Sequence, residues 1–266
     1  VCLVALSFEQ HERFPLVLAS NRDEFFDRPT APLSWWRPRH DGPEVLAGRD
    51  LRAGGTWLGV TQQGRLALVT NVRKPGAAPG RSRGAIALQW LAGEASADAF
   101  DTWLRQQGFS AFNALVLDAR EGSAHYLSSD ASQAALSAGT AGLSNAALDT
   151  PWPKVQALKQ RLVEALDMES STDALVERLF TALSDDRPAE DEALPSTGVP
   201  LQWERWLSPA FIRTPDGRYG TRCSTVVVVE RTAAGGATLR MVERRFTPEG
   251  RLEGETLERI ADWPAG

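Results

Sequence analysis

Cysteine and histidine are nearly missing from this chain of 266 residues, which has two of one and three of the other. Two cysteines, Cys2 and Cys223, make no disulfide framework. His11, His40 and His125 show no metal-ligand spacing, so no metal is expected. Long hydrophobic runs are missing too, and nothing approaches the ~20 apolar residues of a membrane span. Positive charge is scarce: 29 Lys and Arg against 34 Asp and Glu give a net charge of −5. That balance gives no support to a general nucleic-acid binder. The opening Val1-Cys2-Leu3-Val4-Ala5-Leu6-Ser7-Phe8 lacks a basic segment and is too short for a signal peptide. A reducing, cytoplasmic setting is the expectation, and the oligomeric state is left open.

What is present is an ordinary globular composition, 42% hydrophobic and 24% charged. No internal repeat or boundary divides it, so a single domain over residues 1–266 is expected. Residues 2–8 and 15–20 read as short buried strands, followed by the polar cluster Asn21-Arg22-Asp23-Glu24. Residues 27–56, rich in Pro, Arg, Trp and Gly, read as a long ordered loop. A hairpin follows over 56–60 and 65–72. Ser82 is expected to cap a helix to about Leu91, and Ser96 opens another. Strands are expected at 112–118, 123–128 and 133–138, helices at 153–167 and 172–184, and strands at 219–230, 238–246 and 255–260. Blocks of strands and helices, not regular alternation, point to an α+β fold of two antiparallel sheets with helices outside.

Chemistry concentrates at Cys2. If residue 1 is removed, Cys2 carries both a thiol and a free α-amino group. Val1 reads as a start codon written literally or as an artificial boundary; the reading of the site requires its removal. A thiol near pKa ~8.5 and an amine near ~7.7–8.0 suit each other as nucleophile and base. Acyl transfer through such a group needs an acceptor to orient the amine, neutral donors for the oxyanion, and a cation to favour thiolate. Asp23, Asn71, Asn145 and Arg222, each expected at a strand end or in a β-rich run, are the candidates. Taken singly, each also suits a structural role: a buried small residue, an Asx turn, a solvent-facing strand position.

The linked motifs Ala19-Ser20-Asn21-Arg22-Asp23-Glu24-Phe25, Arg28-Pro29-Thr30-Ala31-Pro32, Ala47-Gly48-Arg49-Asp50 and Gly54-Gly55-Thr56-Trp57-Leu58-Gly59-Val60 carry a resemblance. So do Thr70-Asn71-Val72-Arg73, Ser82-Arg83-Gly84, Gly142-Leu143-Ser144-Asn145-Ala146, Pro151-Trp152-Pro153-Lys154 and Tyr219-Gly220-Thr221-Arg222-Cys223-Ser224-Thr225-Val226. Together they resemble the NRDE family, over essentially the whole chain. Members of that family are associated with Golgi organisation, lipid and coenzyme A metabolism and haem mobilisation.

The resemblance extends at a distance to N-terminal-cysteine amidases, which implies a four-layer αββα sandwich of the N-terminal-nucleophile hydrolase type. Their motif Gly-Arg-Asn-x-Asp is similar to Ala19-Ser20-Asn21-Arg22-Asp23 here. It implies that Asp23 holds the α-amino group, Asn71 and Asn145 serve the oxyanion, and Arg222 is the late active-site arginine. Ser20 stands where the amidases have Arg. Arg22 is expected to point to the opposite face by strand alternation.

Asn21, Arg22, Glu24, Arg28, Arg49, Trp57 and Arg73 are expected to support the site or bind substrate. Glu24, Arg28, Arg49 and Asp50 have a bracing network as their default. Trp35, Trp36 and Trp57 suit an apolar pocket or ordinary packing. Arg73, Lys74, Arg81 and Arg83 suit a coenzyme A phosphate or a solvated loop. No cofactor is expected: no Cys-Pro or Cys-x-x-Cys-His feature supports a haem ligand. The expected partner is a small acyl substrate or a lipid-like ligand. The alternative to a hydrolase is a non-catalytic carrier of lipid, acyl-coenzyme A or haem on the same fold.

Overall fold

The computed structural model describes residues 3–76, 80–233 and 235–265; Cys2 lies outside them. The chain forms two compact units interleaved in sequence. One comprises Arg28–Ser137 and the C-terminal residues from Asp262; the other comprises the residues up to Asp27 and Ala138–Ala261. Each is an antiparallel sheet with helices on it, which gives the α+β class expected from the sequence.

In the first unit the sheet runs in the order β3 (Thr30–Trp36), β4 (Val45–Asp50), β5 (Leu58–Val60), β6 (Arg65–Asn71), β7 (Phe112–Asp118), β8 (Ser123–Ser128), β9 (Ala134–Ala135). Helices α1 (Gly84–Leu91) and α2 (Ala97–Arg105) bury Ile86, Trp90, Phe100 and Leu104 with Ala67, Val69, Ala114 and Val116 of the sheet. The reading of 27–56 as a loop is corrected here. Residues 30–36 and 45–50 pair as strands, with a register shift between Ala31 and Ser34. Pro32 falls in that irregularity, on an edge strand, where its missing N–H costs no ladder bond.

The N-cap expectation for α1 is also corrected. Arg83, not Ser82, occupies the cap, without a side-chain cap bond. The helix start is fixed instead by a glycine contact: a Cβ on Gly55 would lie 2.5 Å from the Gly84 carbonyl carbon. The Thr56 N–H donates to the Gly84 carbonyl at 3.3 Å in the same contact. The C-terminal segment closes this unit, with Trp263 Nε1 donating to Thr61 O at 2.8 Å and the Ala265 N–H to Gln62 O at 2.8 Å.

In the second unit the order is β10 (Gly139–Leu143), β1 (Leu3–Phe8), β2 (Leu16–Phe25), β11 (Tyr219–Arg231), β12 (Ala237–Phe246), β13 (Leu252–Ile260). Helices α3 (Pro153–Met168) and α4 (Thr172–Leu183) cover one face, where Val17, Ala19, Val226, Val228 and Val242 meet Leu158, Leu162, Leu175 and Leu179. A short helix, α5 (Leu201–Trp206), precedes β11. Sequence reading missed β10 and α5. Gly-Thr-Ala-Gly-Leu has little β propensity, and six residues are too few for a helical period. The strand expected over 133–138 shrinks to two residues.

Replacing Gly55 by Ala is predicted to destabilise the protein by about 1–3 kcal/mol, because backbone must move on both sides of the contact. Urea unfolding tests this; an unchanged midpoint would show that α1 is not seated on that glycine.

Candidate active site

β2 is apolar over residues 16–19 and polar from Ser20 to Glu24. β2 pairs with β11 in the register Asn21↔Ser224, Arg22↔Cys223 and Asp23↔Thr221, with a bulge that takes up Arg222. Leu3, at the start of β1, pairs with Asn21. β10 runs antiparallel to β1, with Leu143 opposite Val4, so Ser144 and Asn145 follow at the same end. Asn21, Arg22, Asp23, Asn145 and Arg222 are therefore gathered by topology alone.

Their two faces differ. Asn21 and Asp23 lie on the face of Val17 and Ala19, towards α3 and α4. Asn21 is fully buried, and its amide donates to Leu183 O at 2.9 Å and Ala210 O at 2.8 Å. Its Oδ1 accepts from the Ser224 hydroxyl at 2.6 Å. Both amide protons are thus spent on the backbone at the end of α4 and in the loop before β11, which makes Asn21 a structural tie. Asp23 is 5% exposed, and its Oδ1 accepts from the Thr221 hydroxyl at 2.7 Å. That hydroxyl in turn accepts the Ile212 N–H at 2.9 Å. Thr221 and Ser224 lie in the motif of residues 219–226 and have no assignable role from sequence. The signal was their place opposite Asp23 and Asn21, which only the strand pairing reveals.

Ser20, Arg22 and Glu24 share the opposite face. The expectation that Arg22 points away from the face of Ser20 is overturned. The register runs unbroken through 20↔225, 21↔224 and 22↔223, and positions two apart share a face. Arg22 is buried on that face beside Ser20, whose hydroxyl donates to Thr225 O at 3.4 Å. Cys223 is buried there too, and burial, reinforced by the Glu243 carboxylate, pushes its thiol well above the ordinary range. It is not a thiolate at neutral pH. Arg222 is half-buried, donates to Phe25 O at 2.9 Å and lies over the Phe26 ring at 4.9 Å. Burial and the neighbouring Arg22 lower its pKa. Glu24 accepts the Phe25 N–H at 2.9 Å.

Asn145 is 4% exposed in a turn built around Asp149. Asp149 Oδ1 accepts from the Gly142 N–H at 2.8 Å and from Lys159 at 2.5 Å, and the Asp149 N–H returns a bond to Gly142 O at 2.8 Å. Gly142 is required there, since a Cβ would lie 2.5 Å from Val155 Cγ1.

The other expected site residues belong to the first unit. Asn71 ends β6, with Arg73 two residues beyond it. Next to it, Thr70 accepts from the Asn113 amide at 3.3 Å, and Tyr126 donates to Asn113 Oδ1 at 2.7 Å. Arg28 pairs with Asp50 at 2.6 Å, and Asp50 Oδ1 accepts the Arg52 N–H at 3.0 Å. Asp50 is held below its ordinary pKa: burial opposes ionisation, but the Arg28 guanidinium and the Arg52 and Ala53 N–H groups together outweigh it. Arg49 instead stacks on Trp36 at 4.7 Å. The bracing network therefore holds for Arg28 and Asp50. Trp57 is buried, and its carbonyl accepts the Val69 N–H at 2.9 Å. Of the expected basic patch, Arg81 bonds Gln107, Arg83 bonds Ala111 O and Lys74 meets Asp130. Among the described residues no cluster of three His, Cys, Asp or Glu could hold a metal, and no helix is long and apolar enough to cross a membrane.

Two clefts of about 350 and 440 Å³ lie along α3 and α4. Their guanidinium groups are engaged: Arg161 and Arg187 both hold Asp185 at 2.7 Å, and Arg178 holds Glu169 at 2.5 Å. They are braced grooves and not open anion sites.

Fold and site together define an α+β protein of two antiparallel sheets, with a polar cluster where the end of β2 pairs with the start of β11. The chain belongs to the Transport and Golgi organisation 2 family, which it matches over residues 1–248. It is 33% identical to the Bos taurus Transport and Golgi organization protein 2 homolog over 254 residues, covering 86% of this chain and 89% of the relative. The Homo sapiens homolog is 28% identical with the same coverage. Among solved structures it is similar to a Caenorhabditis elegans N-acylethanolamine-hydrolyzing acid amidase ortholog, with a TM-score of 0.48, 16% identity, and 85% and 92% of the two chains covered. A C2A mutant of conjugated bile acid hydrolase from Clostridium perfringens gives a TM-score of 0.48 at 10% identity, covering 97% and 96%.

Two substitutions test the ties. Thr221→Val removes the donor to the buried Asp23 and is expected to cost about 1–3 kcal/mol in urea unfolding, largely restored in Thr221→Ser. Asn21→Asp sets a carboxylate against two carbonyl oxygens, which raises its folded pKa above the unfolded value of about 3.9. The variant should therefore lose stability relative to wild type as pH rises from about 4, and a pH-independent difference would refute the bonding described.

Proposed function

We propose that the protein is an N-terminal-nucleophile-type hydrolase of amide or thioester acyl groups, with Cys2 as nucleophile once residue 1 is removed. The observation that carries the reading is the buried Asp23 carboxylate, held by Thr221 at the sheet end where β1 begins. Cys2 is the residue before Leu3, and Leu3 is the residue paired with Asn21.

In this reading the neutral α-amine takes the thiol proton and Asp23 orients the resulting ammonium. The sulfur forms a bond to the acyl carbon, and the carbonyl π pair moves onto oxygen. Asn145 donates to that oxyanion; Asn71 is assigned as second donor by resemblance alone. Collapse breaks the bond to the leaving amine or thiol, which takes the proton from the ammonium. Water then repeats the sequence on the thioester, releasing the acid and the free thiol. Arg22 and Arg222 supply positive charge that favours thiolate and an acidic or carbonyl headgroup. Because Arg22 shares the face of Ser20, it is the substitute for the arginine that the amidase motif has there. Arg28, Arg49, Trp57 and Arg73 act as supporting residues, and the setting is cytoplasmic.

The second reading is a carrier of a lipid, acyl-coenzyme A or haem without turnover. It is favoured by one observation, that the Ser20 hydroxyl is spent on a backbone carbonyl and offers no charge.

Intact-mass measurement on protein made in cells is expected to show loss of residue 1. Cys2→Ala and Cys2→Ser are expected to abolish turnover of an acyl substrate, a loss of about a thousandfold or more, and to prevent any acyl adduct on residue 2. Full activity in both variants, or in protein that keeps residue 1, would remove Cys2 from the mechanism. A tightly held ligand with unmodified Cys2 would favour the carrier.

A further inference from the structure

The sheet of the second unit ends on two edges of different kinds. β10 is five residues long and packs under α3. β13 is nine residues long and pairs with β12 alone, so among the described residues its outer backbone faces no strand. A long exposed edge is a template for another strand. Leu257 stands in the middle of β13, opposite Val242 and so on the face of α3 and α4, and is 44% exposed. The charges on that face are balanced at one pair and not at the next. Arg244 lies opposite Glu255, bonds it at 2.7 Å, and also reaches Glu177 of α4 at 2.5 Å. Arg240 bonds Asp173 but stands opposite Arg259 of β13. Like charges directly opposite on neighbouring strands repel. Arg259 makes no ion pair among the described residues.

We propose that β13 pairs antiparallel with β13 of a second copy of this chain, about a two-fold axis at Leu257, joining two six-stranded sheets into one. An axis normal to the sheet keeps like faces together, so the helices of both copies stay on one side. Centred on Leu257, it sets Leu257 against itself and Glu255 against Arg259 twice over. Each copy thus brings a carboxylate to the Arg240–Arg259 pair of the other. Glu255 uses only Oε2 on Arg244, which leaves Oε1 for Arg259 of the second copy. On the opposite face Thr256 meets Glu258, and the Thr256 hydroxyl, which accepts from Arg245 at 2.9 Å, keeps its proton to donate. Other centres fit worse. An axis at Glu255 or Glu258 sets glutamate against glutamate, and one at Thr256 sets Glu255 against Leu257. The paired stretch, 254–260, stops short of the irregularity between Arg245 and Phe246.

Sedimentation velocity of the full chain over a concentration series reads the dimer. A reversible dimer is expected, with a dissociation constant on the order of ten micromolar, because one strand pair is a small interface. Arg259→Glu and Glu255→Arg each place like charges opposite one another at both ends of the pairing. Each alone should weaken the dimer about tenfold or more, with the circular dichroism spectrum retained. Mixed in equal amounts they should form a one-to-one dimer, since one chain then offers two carboxylates and the other two guanidinium groups. A second measurement does not depend on charge. Leu257→Cys, in a chain carrying Cys2→Ala, should oxidise to a 257–257 disulfide found by peptide mass. Leu252→Cys should not, because the axis sets the two copies of that position about 30 Å apart.

A chain that stays monomeric at about 300 μM would overturn the proposal. So would a dimer that survives both charge reversals, which would put the interface elsewhere. A mixture of the two reversed chains that stays monomeric, or Leu252→Cys cross-linking as fast as Leu257→Cys, would overturn the register and the proposal with it.

Discussion

The antiparallel pairing of β2 with β11 is the constraint on which the second unit depends. It joins residues about two hundred positions apart, since Asp23 and Thr221 are 198 residues from each other in sequence. Closing that distance is entropically costly, and a buried carboxylate or amide on a strand would add to the cost. The structure offsets both by matching polar residue to polar residue across the register. Asn21 faces Ser224 and Asp23 faces Thr221, each joined by a side-chain hydrogen bond. One residue of slip would leave an amide and a carboxylate buried without those donors, so the pairs fix the register as well as satisfy it.

The same pairing separates roles within the Asn21-Arg22-Asp23-Glu24 motif. Asn21 is consumed by two backbone carbonyls and a hydroxyl, so a demand for asparagine there is a demand of the fold. Arg22 and Glu24 lie on the other face with Ser20 and Cys223, where the neighbourhood is charged and buried. Asp23 has one oxygen fixed by a hydroxyl whose own acceptor capacity is used by the Ile212 N–H. The Thr221 hydroxyl is thus a neutral donor to the carboxylate, itself fixed by the backbone before β11.

Much of this was legible in the sequence, and the rest was hidden for identifiable reasons. Strands with two apolar faces, such as Val226–Val229 and Ala114–Leu117, stand out as continuous apolar runs. Helices α3 and α4 show themselves by the spacing of Leu158, Leu162 and Leu175, Leu179. The segment 30–36 did not, because Pro32 and the tryptophans mask its pairing, and its partner β4 carries Gly48 and Arg49. β10 failed on propensity, since two of its five residues are glycine, and it exists because β1 needs a neighbour. At the site, the residues that bear charge were visible as motifs. The hydroxyls that hold them were not, because Thr221 and Ser224 acquire their roles only when β11 returns to β2. The error over Arg22 had a plain cause: it was compared with Ser20 as a neighbour, whereas a spacing of two keeps both on one face.

β11 condenses the division of labour into one strand. Its first part, Thr221 to Thr225, supplies hydroxyls, a guanidinium and a buried thiol; its second, Val226 to Val229, supplies only core. Register carries this division into β2, where Asn21, Arg22 and Asp23 lie opposite Ser224, Cys223 and Thr221. The valine block stabilises the pairing regardless of what the polar end does, so the polar end is free to hold groups in unfavourable, desolvated states. Arg222 is the clearest case: burial and the neighbouring Arg22 disfavour its charge, Glu24 and Glu253 favour it, and its guanidinium is held by the bond it donates to Phe25 O. A charge held in such partly desolvated surroundings interacts more strongly with its neighbours than a solvated one does, so the acidic residues near it count for more than they would in water.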